Sequence, residues 1–170
     1  TLNSNWCINV DSSTYAELDV RHYHASSPDP FTGRIGWWEN VGLVSRGKVT
    51  IAFRDFEIDQ LQIETAAYGD FKFHRPGLSA QVESNADTAL ITDAGLEATG
   101  SQVEAAADQY RSVGTVTADV TETWQEHSIR NATGAAGGTM MDRSLISPTV
   151  AVVLNDTVQF TYTITKTAEA

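Results

Sequence analysis

An antiparallel β-sandwich, jelly-roll-like and carrying one short α-helix, is the fold class that this sequence of 170 residues predicts. Three observations lead to it. At least six stretches alternate apolar and polar residues with the period of a strand, whereas at most one carries a helical stripe. Threonine and valine, which favour strands, set the texture together with alanine, glycine and serine, which fill turns. The cleanest stretch lies near the end, NDTVQFTYTITKT at residues 155–167. Val158, Phe160, Tyr162 and Ile164 fall on one parity there, and Thr157, Gln159, Thr161, Thr163 and Thr165 on the other. Successive strand side chains point to opposite faces, so this ribbon has one apolar face and one threonine face.

In chain order, WCINV and YAELDVRHYHA read as one or two strands, with Leu18, Val20 and His22 on one parity. SSPDPFTG, residues 26–33, is a dense turn cluster. The next thirty or so residues are two-sided. Val41, Val44, Ser45, Lys48, Ile51 and Ala52 form a faint helical stripe, while Val49, Ile51 and Phe53, then Ile58, Leu61 and Ile63, alternate irregularly. Gly42 and Gly47 would each weaken a helix by about 1 kcal/mol relative to alanine. Residues 74–100 are polar and turn-rich, which predicts a long surface connection rather than a core element. QYRSVGTVTADVTETWQEHSIRN then returns to alternation, and NATGAAGGT is a glycine-rich turn between strands. MMDRSLI is a short strand, Pro148 a break, and TVAVVL leads through Asn155 and Asp156 into the closing strand. Residues 1–39 thus read as an N-terminal strand or arm segment and residues 40–170 as the sandwich body, within one domain.

Charge and composition exclude some functions. A formal net charge of -11 argues against free nucleic acid and anionic membrane as partners. No apolar run approaches the length of a membrane-spanning helix. Cys7 is alone, so no disulfide forms within the chain.

Several residues invite chemistry. His22 and His24, two apart on a strand, share a face as two metal ligands would; a third ligand would come from His74, His127 or a carboxylate. The plainer reading is a pair of surface or interface histidines, and the expectation is no metal and no cofactor. Glu122 with Glu126, or Asp55 with Glu57 and Asp59, fit the acid and base of a glycosidase if they stand about 5–9.5 Å apart in a cleft. In so acidic a chain such pairs read as a solvated face. No G-x-S-x-G elbow, phosphate-binding loop or cysteine cluster is present, so no enzyme activity is expected. Trp37 and Trp38 read as core plus interface in preference to a sugar-stacking platform.

The order ADTAL (86–90), QEHSIRNATGAAGGTMMDRSLISP (125–148) and LNDTVQFTYTIT (154–165) resembles a family of structural proteins from tailed bacterial and archaeal viruses. Glu126, Gly137, Gly138, Arg143, Asp156, Phe160, Tyr162 and Thr165 fall on its motif positions, and Asn40 with residues 42–55 would be the entry to its helix. Ser128, Ile129 and Arg130 depart from its usual glycine, apolar and aromatic residues. Asn155 replaces a glycine while tolerating the same positive φ. The resemblance spans residues 40–166 and implies a non-enzymatic component of the virion: capsid decoration, turret, neck or tail. Its partners would be copies of itself, in a symmetric oligomer, and other virion proteins. Trp37, Trp38 and the threonine face of Thr157, Gln159, Thr161 and Thr163, or a free edge of that strand, would make the contacts. The alternative is a receptor- or glycan-binding tail-fibre module.

Overall fold

The computed structural model describes residues 13–62, 71–106, 109–135 and 137–167 as a sandwich of two five-stranded antiparallel sheets with one helix. One sheet has the order β2 (Ile35–Ser45), β1 (Ser13–Pro28), β10 (Thr157–Thr167), β7 (Gln109–Thr117) and β6 (Ser101–Ala106). The other runs β3 (Lys48–Val49), β9 (Met140–Val152), β8 (Glu122–Arg130), β4 (Phe73–Gly77) and β5 (Ala98–Thr99). Cys7 and the WCINV stretch lie outside the described residues.

Alternation places the first sheet. Ala16, Leu18, Val20 and His22 of β1 turn inward, as do Val158, Phe160, Tyr162 and Ile164 of β10. The two strands pair over their whole length, from Ser13 opposite Thr167 to Tyr23 opposite Thr157. The Asp29 carboxylate accepts the amides of Phe31 and Thr32, and Gly33 takes a φ of 68°, so the chain reverses into β2. The boundary drawn between residues 39 and 40 falls inside β2, and β1 lies between β2 and β10.

Three local expectations are corrected. Residues 42–49, expected to enter the helix, lie in or between β2 and β3; the helix α1 is Ile51–Gln62. Gly42 sits at a φ of 82°, which a helix cannot use, whereas Thr50 caps the true start, its hydroxyl accepting the Phe53 amide at 3.1 Å. Pro148 does not break the strand: β9 runs through it. Pro148 is exposed, on a stretch of β9 facing the register shift between Trp124 and Glu126 of β8, where a ladder tolerates a missing amide. Finally, β10 offers no free edge, because β1 and β7 pair with its two sides. Its threonine face is also only half open, with Thr163 and Thr165 buried. Among the described residues, the edges of that sheet are β2 and β6.

The second sheet is buried on both faces over residues 126–130 of β8 and 140–144 of β9. His74, His127, Ile129 and Asp142 share the inner face by register, while Glu126, Ser128, Arg130 and Arg143 share the outer one. The connection between β4 and β5 lies across that outer face, as the bonds below show. It is irregular, as expected, but its start is not surface: His74 and Arg75 of β4 are buried. No described helix is long and apolar enough to cross a membrane.

Candidate functional site

The hairpin of β1 and β2 sets His22 opposite Glu39 and His24 opposite Trp37. All four residues share one face, at the end of the sheet beside the β9–β10 turn. The His24 Nε2 stands 3.0 Å from Glu39 Oε2, and the His22 Nδ1 stands 4.0 Å from the same oxygen. The two imidazole centroids are 3.9 Å apart. The other nitrogen of His22, Nε2, meets Asp156 Oδ2 at 3.0 Å, and both of these side chains are buried. Asp156 is itself held by the turn, accepting the Ala25 amide at 2.7 Å and the Val153 amide at 3.2 Å.

Charge behaves as this crowding demands. Burial, and then the neighbouring His24, hold His22 below the ordinary imidazole range despite the pull of Asp156 and Glu39. Burial pushes Asp156 up, but the amides of Ala25 and Val153 and the His22 ring outweigh it and leave the carboxyl below its ordinary range. Trp37 closes one side, its ring stacked on His24 at 4.5 Å and its indole N–H donating to the Ser27 carbonyl at 3.1 Å.

The pairing of His22 with His24 was legible from spacing, and the third member is a carboxylate, Glu39. His74 and His127 do not join them. Those two meet between the sheets, His74 Nδ1 to His127 Nε2 at 3.0 Å, with His74 Nε2 on the Ser112 hydroxyl at 2.8 Å. Both are fully buried. Burial brings His74 down to about 3, and burial together with the neighbouring His74 holds His127 well below its ordinary value. Gly100 and Gly114 make the room: an added Cβ at either would stand 2.9 Å or less from the His74 ring.

Glu126 and Arg143, picked out by the motif, form a buried pair at 2.6 Å. Glu126 also accepts the amides of Ser79, Ile91 and Thr92, while Arg143 donates to the carbonyls of Gln81 and Val82 and to Asp87. Arg75 adds a bidentate bond to Asp93 and one to Glu97. Backbone polar groups of an irregular segment need partners once they leave water, and these side chains supply them. Gly137 and Gly138 lie in the β8–β9 turn, where Gly138 has a φ of 63°. Phe160 and Tyr162 are core residues of β10. The motif positions are thus occupied with architecture.

Among the described side chains, the glycosidase carboxylates are taken up by other partners or stand exposed on the helix. Glu126 is sealed against Arg143, and Glu122 accepts the Trp124 indole at 2.6 Å. On α1, Asp55 is exposed and Glu57 meets Lys166; the Asp59 side chain lies outside the description. Neither Trp37 nor Trp38 belongs to the core. Adjacent strand residues face opposite ways, and this strand is at an edge, so Trp37 is half-buried on His24 while Trp38 is exposed beside Tyr23 and under the Arg21 guanidinium. Sequence reasoning missed Glu39, and it picked out Asp156 as a motif position without placing it beside His22. A hairpin register centred on Pro30 and Phe31 would have found Glu39; nothing local points to Asp156. No family model, no curated protein and no solved structure matches this chain.

Proposed function

We propose that this chain is a non-enzymatic structural component of a tailed-virus particle, acting through symmetric assembly with copies of itself and with other virion proteins. The observation that supports the reading most is the edge strand β2 and its turn. Phe31 is 95% exposed, Ile35 60%, Leu43 45% and Trp38 43%. An exposed edge with apolar side chains is a template for pairing and a hazard to a lone monomer, and an assembly protein uses it as a joint. The interface therefore moves from the threonine face and the β10 edge to β2, with Trp38 retained in it and Trp37 turned inward. The architectural use of Glu126, Arg143, Gly138 and Asp156 fits a protein whose task is shape.

Sedimentation velocity on the full chain tests this first. A defined oligomer is expected, with Ile35→Lys and Trp38→Lys shifting it to monomer while the circular dichroism stays unchanged. Quantitative mass spectrometry of purified particles tests the location. A copy number equal to, or a simple fraction of, that of the major shell protein places the chain in capsid decoration or a turret, and a handful of copies places it in the neck or tail. A monomer absent from particles overturns the proposal. One observation favours the alternative, a receptor- or glycan-binding tail-fibre module: the exposed Trp38 with Tyr23 at 5.2 Å and Arg21 at 5.3 Å offers a stacking surface. Glycan binding lost in Trp38→Ala, by a chain that remains monomeric, would select it.

A further inference from the structure

We propose that His22, His24 and Glu39 form a site for one divalent transition-metal ion of the zinc type, with Asp156 positioning His22. The ligating atoms of the three side chains all lie within 4.8 Å of one another. With metal–ligand distances of about 2.0–2.2 Å, neighbouring ligands of a tetrahedral ion stand about 3.4 Å apart. The separations of 3.0 Å from Glu39 Oε2 to His24 and 4.0 Å to His22 bracket that value. Small rotations of Glu39, the most exposed of the three, bring all three atoms onto one centre.

The surroundings are those of a built site. Asp156 receives two backbone amides and sits 3.0 Å from His22 Nε2, so that nitrogen keeps its hydrogen and donates it to the carboxylate. The lone pair of His22 is then left on Nδ1, the atom that faces Glu39. A carboxylate holding the far side of a ligating imidazole is the usual outer partner of a metal-bound histidine. His24 is fixed in its turn by the stacked Trp37 ring, which the Ser27 carbonyl anchors. Three side-chain ligands, one of them a half-exposed carboxylate, leave a further coordination position on the open side. Two imidazoles with one carboxylate select zinc, cobalt, nickel or copper over magnesium and calcium, whose preference is for oxygen alone. Bound there, the ion ties the edge strand β2 to β1, and through Asp156 to the β9–β10 turn.

Equilibrium dialysis of the full chain against zinc chloride, with metal counted by mass spectrometry, tests the site. One zinc per chain is expected, retained in excess magnesium and calcium, with cobalt giving the visible bands of a low-coordinate centre. His24→Ala and Glu39→Gln, both at partly exposed positions that leave the core intact, should each weaken binding by about tenfold or more. The thermal midpoint should rise with zinc in the parent chain and stay put in the double variant. No stoichiometric zinc, or full-affinity zinc retained in the folded double variant, overturns the assignment; the second result would place the metal elsewhere.

Discussion

The four histidines of this chain fall into two pairs, and the same side chain does opposite things in them. His22 and His24 come from one strand, stand 3.9 Å apart with their rings tilted, and face two carboxylates at the end of a sheet. His74 and His127 come from different strands, stand 5.2 Å apart between the sheets, and bond to each other and to a serine while packing on the Phe160 ring. The first pair has acceptors to spare and a way out to solvent; the second is sealed and held neutral. An imidazole takes its chemistry from the carboxylates and water around it, and here tertiary position hands those out unequally.

The largest test of that contrast concerns the sealed interior, where charge is tolerated only in company. Glu126→Ala would take from Arg143 its fully buried partner, leaving it Asp87, would leave three loop amides unpaired, and should cost about 3–5 kcal/mol in urea unfolding. A loss below about 1 kcal/mol would mean that the interior is wetter than its burial states.

Acid comes next. His74 has its folded value lowered from 6.5 to about 3, so the unfolded chain takes up the proton first. Stability is then fully present above pH 6.5 and lost as pH falls toward 3, with His127 acting in the same direction. In Asp142→Asn, which removes a buried carboxyl that titrates in the opposite direction, thermal midpoints should fall from pH 7 to pH 4, and a flat profile in that variant would sink the neutral, sealed pair.

Gly114→Ala presses a Cβ to 2.5 Å from the His74 ring and should cost about 1–3 kcal/mol by overpacking. Chemical denaturation reads it directly. Asp142 gives a pH effect of opposite sign to that of His74. Burial raises it from 3.8 to about 8, so its contribution is fully present below 3.8 and lost as pH rises through about 8. Asp142→Asn should abolish this loss toward alkaline pH and leave the histidine-driven fall toward acid the steeper. Least of all for stability, Asp156→Asn keeps one acceptor oxygen for the turn and should lower zinc affinity about 10–100-fold. Unchanged affinity would show that His22 is oriented without Asp156.

Much of the fold was legible in particular residues. The inward set of β10, the inward Leu18, Val20 and His22 of β1, and the hairpin glycines around Gly138 follow from alternation and turn chemistry. The helix was misplaced because the faint stripe of residues 41–52 overlaps a real strand; the capping Thr50 marked the true start. In QEHSIRN the alternation fails, since β8 is covered on both faces and its polar residues are buried with partners. Of the metal candidate, the His22–His24 half was visible and the Glu39–Asp156 half was not.

The division has one physical cause. Alternation along a strand, a cap or a positive φ is dictated by the few residues beside it, so the sequence by itself determined a mainly β chain with one helix and its inward faces. Which strands become neighbours is decided by the whole set of faces that must be buried at once. That placed β10 between β1 and β7 rather than at an edge, and left β2 as an edge. It laid the β4–β5 connection over Glu126 and Arg143, and it carried Glu39 and Asp156, 15 and 134 residues from their histidine partners, into one cluster. Contacts at such separations depend on register and layer order, which only the tertiary structure supplies.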